Sequence, residues 1–488
     1  MTYSTINPFT NELIKEFLYS TDAEIDAALD RASEAFKSWS RTPLADRAAI
    51  FIRAAQLLRE RAVELGELAT IEMGKLSAEA TMEPRLMAAP LLEWVAENAN
   101  DVLRPRPLSP DGPVPSLRNP AITQEVLMTY QPQGIVYEIE PWNVPYYQAV
   151  RGFAPAAISG NVVILKHASN VPQCAAAVVA ILREAGLPEG VWQNVYATHA
   201  QSDRIIADER VRAVTMTGSA AVGSKVAAAA GKALRKSVLE LGGSDAMIVL
   251  PDADLDAAIN GASGRFFNCG QTCVSPKRMI VTDGVYEEFI ARLSKKFDHL
   301  KPGDPADPET TLGPLSSQDA ADGLKAQIAA AVAGGATATP VGPPVPTTGA
   351  FVQPTILTGV TTGNPAFYEE FFGPVLIVFR VADVDSAIEL ANDSLYGLAG
   401  SVWSQNINAA LDIAAQLDTG NVAINQTSPS GSAMQPFGGV KSSGFGREMG
   451  AEGILEFCNI KSITFPPGMS VDLGPALQSG AGAHATSA

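Results

Sequence analysis

Cysteine and histidine are both scarce, with four of each in 488 residues. Cysteines at 174, 269, 273 and 458 are too few and too scattered for a disulfide framework, so a reducing, cytoplasmic setting is expected. None of His167, His199, His299 and His484 lies near the close cysteine pair, so no metal site is expected. Long apolar runs are missing too, which excludes a membrane-spanning helix from the expectation. The opening MTYSTINPFTNELIKEF is polar from the outset, unlike a secretory leader. Positive charge is the minority sign: 35 Lys and Arg face 52 Asp and Glu, a net charge of −17. That balance repels nucleic acid and anionic membrane at long range, while leaving room for a locally cationic pocket.

What is present suits a globular protein. Hydrophobic residues make up 46% and charged residues 18%, an ordinary globular balance in a chain too long for one simple core. Thr21 and Glu24 have capping-box spacing, and Ile25, Ala28, Leu29, Ala32, Ala35, Phe36 and Trp39 follow at helical intervals. A second helical stretch is expected from about Ala45 until Gly74 stops it. Residues 105–120 read as a Pro- and Gly-rich connection, and "ITQEVLMTYQPQGIVYEIEP" reads as strands. Strand, turn and helix then alternate through "GNVVILKHAS", "VRAVTMTGS" and "SVLELGGSDAMIVL", and again over residues 260–440. This pattern predicts two α/β domains with parallel sheets, and ligands at the carboxyl ends of their strands. The last residues, 467–488, fill with Gly, Ala and Ser and are expected to be disordered.

The segment FFNCGQTCVSPKR, residues 266–278, holds the two close cysteines. A single cysteine is ordinarily an inert core residue. Around Cys273, however, Asn268, Gly270 and Gln271 are polar or small, which permits close approach of a ligand. Its thiol would act as a nucleophile in the thiolate form. Glu240 ends an apolar strand before two glycines, where it serves either as a turn cap or as a general base raised by burial. The Gly218-Ser219 turn leads from strand into helix, where free N–H groups favour a pyrophosphate. Lys166 stands at a strand end, and Asn143 follows Trp142 in an otherwise apolar turn that needs a partner or serves one.

Taken in order, "PWNVP", "LKHAS", "TGS", "ELGG", the Asn-Cys-Gly-Gln-Thr-Cys run, "EEFFGP" and "PFGGVKSSGFGRE" resemble the signatures of the NAD(P)-dependent aldehyde dehydrogenase superfamily. The resemblance runs from about Asn7 to Phe465. It implies two Rossmann-type α/β domains and a small β extension. Residues 1–114 and 134–241 would bind the cofactor, 242–442 would form the catalytic domain, and 115–133 with 456–466 would form the oligomerisation extension. A homodimer or homotetramer is implied. Cys273 would attack an aldehyde carbon, with the Asn143 amide and the Cys273 backbone N–H as the oxyanion hole and Glu240 activating water. Trp142, Lys166, Gly218, Ser219, Gly242, Glu370 and Phe372 would line the cofactor site. Ser169, where NAD-preferring members often carry glutamate, implies NADP, with NAD possible.

Within the superfamily, "KHASNVPQCA", "ELGGSD" and "EFCNIK" resemble bacterial succinate-semialdehyde dehydrogenases. Arg151 and Arg278 match positions that would hold a remote substrate carboxylate. Ser430 and Ser432 straddle the position of a further carboxylate ligand, with Ser428 also available. Tyr146 and Tyr147 could instead line a tunnel for a bulkier or aromatic aldehyde. Outside this chemistry stands a cysteine acyl hydrolase, which would need a histidine base near Cys273 and leaves Lys166 and Ser219 without a role.

Overall fold

Residues 3–108, 112–427 and 432–469 are described by a computed structural model of the chain. The helix Asp22–Trp39 opens on the expected capping box: the Glu24 N–H donates to the Thr21 hydroxyl and the Glu24 carboxylate accepts the Thr21 N–H. It buries Ile25, Ala28, Leu29, Ala32 and Trp39. The second helical stretch is two helices, Leu44–Glu60 and Ala62–Met73, separated at Arg61, whose φ of −102° leaves the helical range. Gly74 ends it in the left-handed conformation, φ 74°.

Two large sheets carry the molecule. The first runs Gly444–Phe445, Lys236–Glu240, Val211–Thr217, Ile135–Glu140, Val162–His167, Trp192–Asn194. Every neighbour pair is parallel except the Gly444–Phe445 edge. The second runs Thr337–Pro340, Thr355–Thr358, Val375–Val381, Pro276–Thr282, Asp245–Val249, Ala399–Trp403, Asn421–Ile424, again parallel except at the first edge. Strands Ile135–Glu140, Asp245–Val249 and Pro276–Thr282 are buried throughout, as parallel strands covered on both faces must be.

The turn in "ELGGSD" is the crossing between the sheets: Glu240 ends a strand of the first and Asp245 begins one of the second. Only glycine fits here. A Cβ on Gly242 would lie 2.3 Å from the Glu370 carboxylate, and one on Gly243 would lie 2.9 Å from the Cys273 carbonyl oxygen. A third sheet pairs Thr123–Pro132 antiparallel with Cys458–Phe465, in the two segments expected to form the extension. Strand Gly444–Phe445, unplaced by the sequence reading, returns to pair with Leu239 and Glu240. Ser428, Ser430 and residues 470–488 of the expected disordered tail lie outside the described residues. No helix among the described residues is long and apolar enough to cross a membrane.

Candidate active site

The loop that delivers Cys273 is built on conformational strain and one buried cation. After the helix Leu255–Ser263 the chain tightens through Gly264–Gly270, where Asn268, Cys269 and Gly270 all take positive φ (52°, 53° and 77°). Asparagine and glycine tolerate this region, whereas cysteine adopts it at a cost. Arg265, fully buried, holds the strained turn by donating to the carbonyls of Val375 (3.0 Å) and Gly373 (2.6 Å) and to the Ser275 hydroxyl (2.8 Å).

Cys273 emerges between two cavities of about 300 Å³ each, and both are lined by Asn143, Gln148 and Cys273. One is walled by Met87, Val144, Tyr147, Phe267 and Phe437, with Arg151 as its one cationic lining residue among those described. The other is lined by Trp142, Gly218, Ser219, Gly242, Glu370 and Phe372. A carbon held on the thiol is therefore reachable from both sides. Burial pushes the Cys273 thiol up to about 11, against the pull of Arg151 and Lys277.

Asn143 sits just before the helix Pro145–Ile158, and its amide donates to the Gln271 carbonyl at 3.0 Å. One amide hydrogen remains free for an oxyanion. The placement depends on Glu83, whose carboxylate accepts the Tyr146 and Tyr147 N–H groups (2.6 and 3.0 Å) at the start of that helix. Its other oxygen pairs with Lys75, which also reaches the Asn143 carbonyl (3.3 Å), and both side chains are fully buried. The sequence reading singled out neither. Gln148, one helical turn beyond Val144, is a further omission: its side-chain oxygen is buried with no partner, and both cavities touch it.

Glu240 is 1% exposed, and neither of its oxygens has a hydrogen-bond partner. It lines neither cavity. Its carboxyl is folded towards Gly438, where a Cβ would lie 2.7 Å away. Burial, reinforced by the neighbouring Glu448, lifts its pKa well above the ordinary carboxylate range. Service as a base therefore requires a side-chain rotation towards the thiol.

The two arginines divide. Arg151 lies over the Phe437 ring (4.6 Å to its centroid) and pairs with buried Glu448, which also accepts from the Thr215 hydroxyl. Burial alone would lower the Arg151 guanidinium, but Glu448, Tyr147 and Glu240 raise it above the ordinary arginine value. Arg278 corrects the sequence expectation. It lines no part of the cavity at Cys273, because its guanidinium donates to the carbonyls of Ser244 (2.8 Å), Leu390 (3.0 Å) and Ala391 (2.8 Å). The last two belong to the final turn of the helix Val384–Asn392, so Arg278 caps a helix end. Ser432 is displaced from the thiol as well. It lines an adjoining apolar cavity of about 280 Å³ with Met82, Leu86, Pro90, Leu91 and Tyr147.

On the other side, Ser219 caps the helix Ala220–Lys232 by accepting the Val222 N–H. Gly223 lets that helix close onto the crossing loop, since a Cβ there would lie 2.4 Å from Leu241. The Trp142 and Phe372 rings meet edge to face at 5.7 Å. Glu370 accepts the Gly243 N–H (3.1 Å) and pairs with Lys277 (3.1 Å). Lys166 is the penultimate residue of the strand Val162–His167 and pairs with no carboxylate among the described residues, and burial lowers it to about 8. Ser169, whose carbonyl accepts the Ser4 N–H (3.0 Å), follows it. Lys166 lies over the Tyr3 ring (5.7 Å to its centroid), and neither it nor Ser169 lines this cavity; the helix N-terminus at Ser219 and the Trp142 and Phe372 rings that do line it fit a dinucleotide.

The Aldehyde dehydrogenase family profile matches residues 1–463. The chain belongs to this family. As an aldehyde dehydrogenase it is 46% identical over 466 residues to the NADP(+) succinate-semialdehyde dehydrogenase of Deinococcus radiodurans, covering 95% of each chain. Among solved structures it resembles the succinic semialdehyde dehydrogenase of Streptococcus pyogenes in complex with NADP+ (TM-score 0.90, 40% identity, covering 95% of this chain and 100% of that one). It also resembles a salicylaldehyde dehydrogenase of Pseudomonas putida G7 complexed with salicylaldehyde (TM-score 0.89, 29% identity, 97% and 96% covered). In this aldehyde dehydrogenase Cys273 lines both cavities.

Proposed function

We propose that this aldehyde dehydrogenase oxidises a short aldehyde bearing a remote carboxylate, of the succinate-semialdehyde type, with NADP. The observation that carries the reading is one thiol shared by two cavities, the apolar one ending on a single cation. The Cys273 thiolate forms a C–S bond to the aldehyde carbon, and its oxygen takes the charge against the Asn143 amide and the Cys273 N–H. A preorganised donor of this kind is worth ~3 kcal/mol. Nicotinamide, when bound, supplies the hydride acceptor, and Glu370, Trp142 and Phe372 are the residues that hold its end of the cleft. The resulting thioester is opened by water, whose proton Glu240 accepts after rotating from Gly438, and the C–S bond breaks to free the acid and the thiol.

Arg151 holds the far carboxylate through the N–H groups that Glu448 leaves unused. A hydrogen bond to a charged group is worth about 1.5–3 kcal/mol, so Arg151→Met should raise KM for succinate semialdehyde roughly 10- to 100-fold. KM for hexanal should stay near the parent value. Reduction of NADP followed at 340 nm with both aldehydes measures this, and equal effects on both would remove the carboxylate assignment. One observation favours a second reading: Tyr147, Phe267 and Phe437 wall the cavity, and Glu448 already engages Arg151. A higher kcat/KM for benzaldehyde than for succinate semialdehyde would make the substrate aromatic.

Cofactor choice carries its own test. Burial lowers Lys166, which has no carboxylate partner among the described residues, to about 8, so its ammonium is largely present at pH 7 and is lost as pH rises through 8. NADP affinity should be full below pH 8 and should weaken above it, by up to about tenfold per unit, while NAD affinity stays level. Isothermal titration at pH 7 and pH 9 checks it, and a level NADP affinity would show that Lys166 does not meet the extra phosphate. The segments 123–132 and 458–465 present the extension through which we place a homodimer or homotetramer. All four cysteines are unpaired, in keeping with a cytoplasmic enzyme.

A further inference from the structure

Lys277 follows the nucleophile by four residues on the strand Pro276–Thr282 and is 2% exposed. The ammonium donates to two backbone carbonyls of the nucleophile loop, Thr272 at 2.9 Å and Cys273 at 2.6 Å. It also forms an ion pair at 3.1 Å with the Glu370 carboxylate, which accepts the Gly243 N–H. A buried cation would be costly without partners, and here every partner lies beside the reacting thiol.

The geometry of one peptide unit gives this arrangement its meaning. The Thr272 carbonyl and the Cys273 N–H belong to the same planar trans peptide and point in opposite directions. Whatever grips the Thr272 oxygen therefore aims the Cys273 N–H away from itself. That N–H donates to no group among the described residues, whereas the neighbouring Gln271 N–H is spent on the Asn268 carbonyl at 3.0 Å. A cation on the carbonyl oxygen also polarises the unit and strengthens its N–H as a donor.

We propose that Lys277 is a positioning residue, which aims the Cys273 backbone N–H at the substrate oxygen and ties the nucleophile loop to Glu370 of the cofactor cleft. The proposal rests on Cys273 being the nucleophile. It goes further in placing the orientation of the oxyanion donor, and the link between the two cavities, on one side chain. Cofactor-side and substrate-side groups are then joined by direct contacts from Glu370 through Lys277 to Cys273.

Lys277→Met, Lys277→Gln and Lys277→Arg test it with two readouts. Loss of an oxyanion donor costs roughly 100-fold or more, so Lys277→Met should lower kcat by ~100-fold with little change in the aldehyde KM, and Lys277→Arg should recover part of the loss. The second readout is alkylation of Cys273 by iodoacetamide at pH 8.5, located by mass spectrometry. Removing the cation lowers the thiolate fraction and should slow alkylation several-fold, on the order of a tenfold change for each unit of pKa. A merely structural lysine would act the other way, since a loosened loop exposes the thiol and speeds alkylation. Should the methionine variant be insoluble, Lys277→Gln carries both readouts, because it removes the charge and ends one bond short of the position from which the ammonium grips the Thr272 and Cys273 carbonyls. Unchanged kcat in a folded Lys277→Met or Lys277→Gln variant, or faster alkylation, overturns the proposal. A parent enzyme inactive on all aldehydes, with alkylation still slowed by the substitution, would instead remove the functional reading and leave the link from Lys277 to the thiol standing.

Discussion

Cys273→Ser is expected to abolish NADP-dependent aldehyde oxidation, by ~10⁴-fold or more, while the protein folds and binds NADP as before. Removing a nucleophile that acts as one unit with its activating groups costs about 10⁶-fold in a well-studied hydrolase, and a serine hydroxyl is far less acidic than the thiol it replaces and has no base at rest beside it. Glu240 is turned towards Gly438, and the described lining of the two cavities contains no histidine. The change is small in volume, so the strained turn at Asn268 and Cys269 and its Arg265 anchor should survive. Single-turnover reduction of NADP at 340 nm, beside NADP binding by fluorescence, separates the two effects. Substantial oxidation by the serine variant would move the nucleophile elsewhere and dissolve the mechanism built on this thiol.

Lys75→Met is expected to be the most destabilising of the substitutions considered, by about 3–5 kcal/mol, because it strands a charge in the interior. Glu83 cannot be re-solvated, since both side chains are fully buried and its other oxygen is committed to the Tyr146 and Tyr147 N–H groups. Protonation of Glu83 would relieve part of the cost but would weaken its hold on the helix N-terminus. That helix carries Tyr147, Gln148 and Arg151, and the Asn143 carbonyl just before it loses the Lys75 ammonium. Thermal unfolding should start at a clearly lower temperature, and kcat should fall together with stability. A Lys75→Met protein that unfolds with the parent would show that the pair contributes no net stability.

Local rules were legible in the chain itself. The capping box at Thr21 and Glu24 and the stop at Gly74 depend on groups a few residues apart, so their outcome follows from spacing alone. The buried strands were legible for the same reason, as apolar runs bounded by glycine turns. The break at Arg61 was not, because both helices continue the same apolar period and only packing decides where the axis bends.

At the site the division is sharper, and the pair Lys277 and Arg278 shows why. The strand is bulged at this point, with Asp245 opposite Pro276, Ala246 opposite Arg278 and Lys277 between them, and nothing in the order of the residues says which side holds the substrate. Lys277 turned out to face the Cys273 carbonyl and Glu370, and Arg278 to face the end of the helix Val384–Asn392. An arginine that looks like a substrate anchor in sequence is, in the fold, the partner of carbonyls that helix geometry leaves unpaired. Gln148, Lys75 and Glu83 were missed for a related reason, since their roles are set by partners from elsewhere in the fold.

By itself the sequence determined the family and the order of the elements, and singled out Cys273 as the candidate nucleophile, because those rest on motifs and periods read along one dimension. Only the tertiary structure decided which cation meets the cavity, where the Glu240 carboxyl rests and how the Cys273 N–H is held. Those depend on which buried polar groups find one another across the crossing between two sheets, and burial makes each such pairing an energetic necessity.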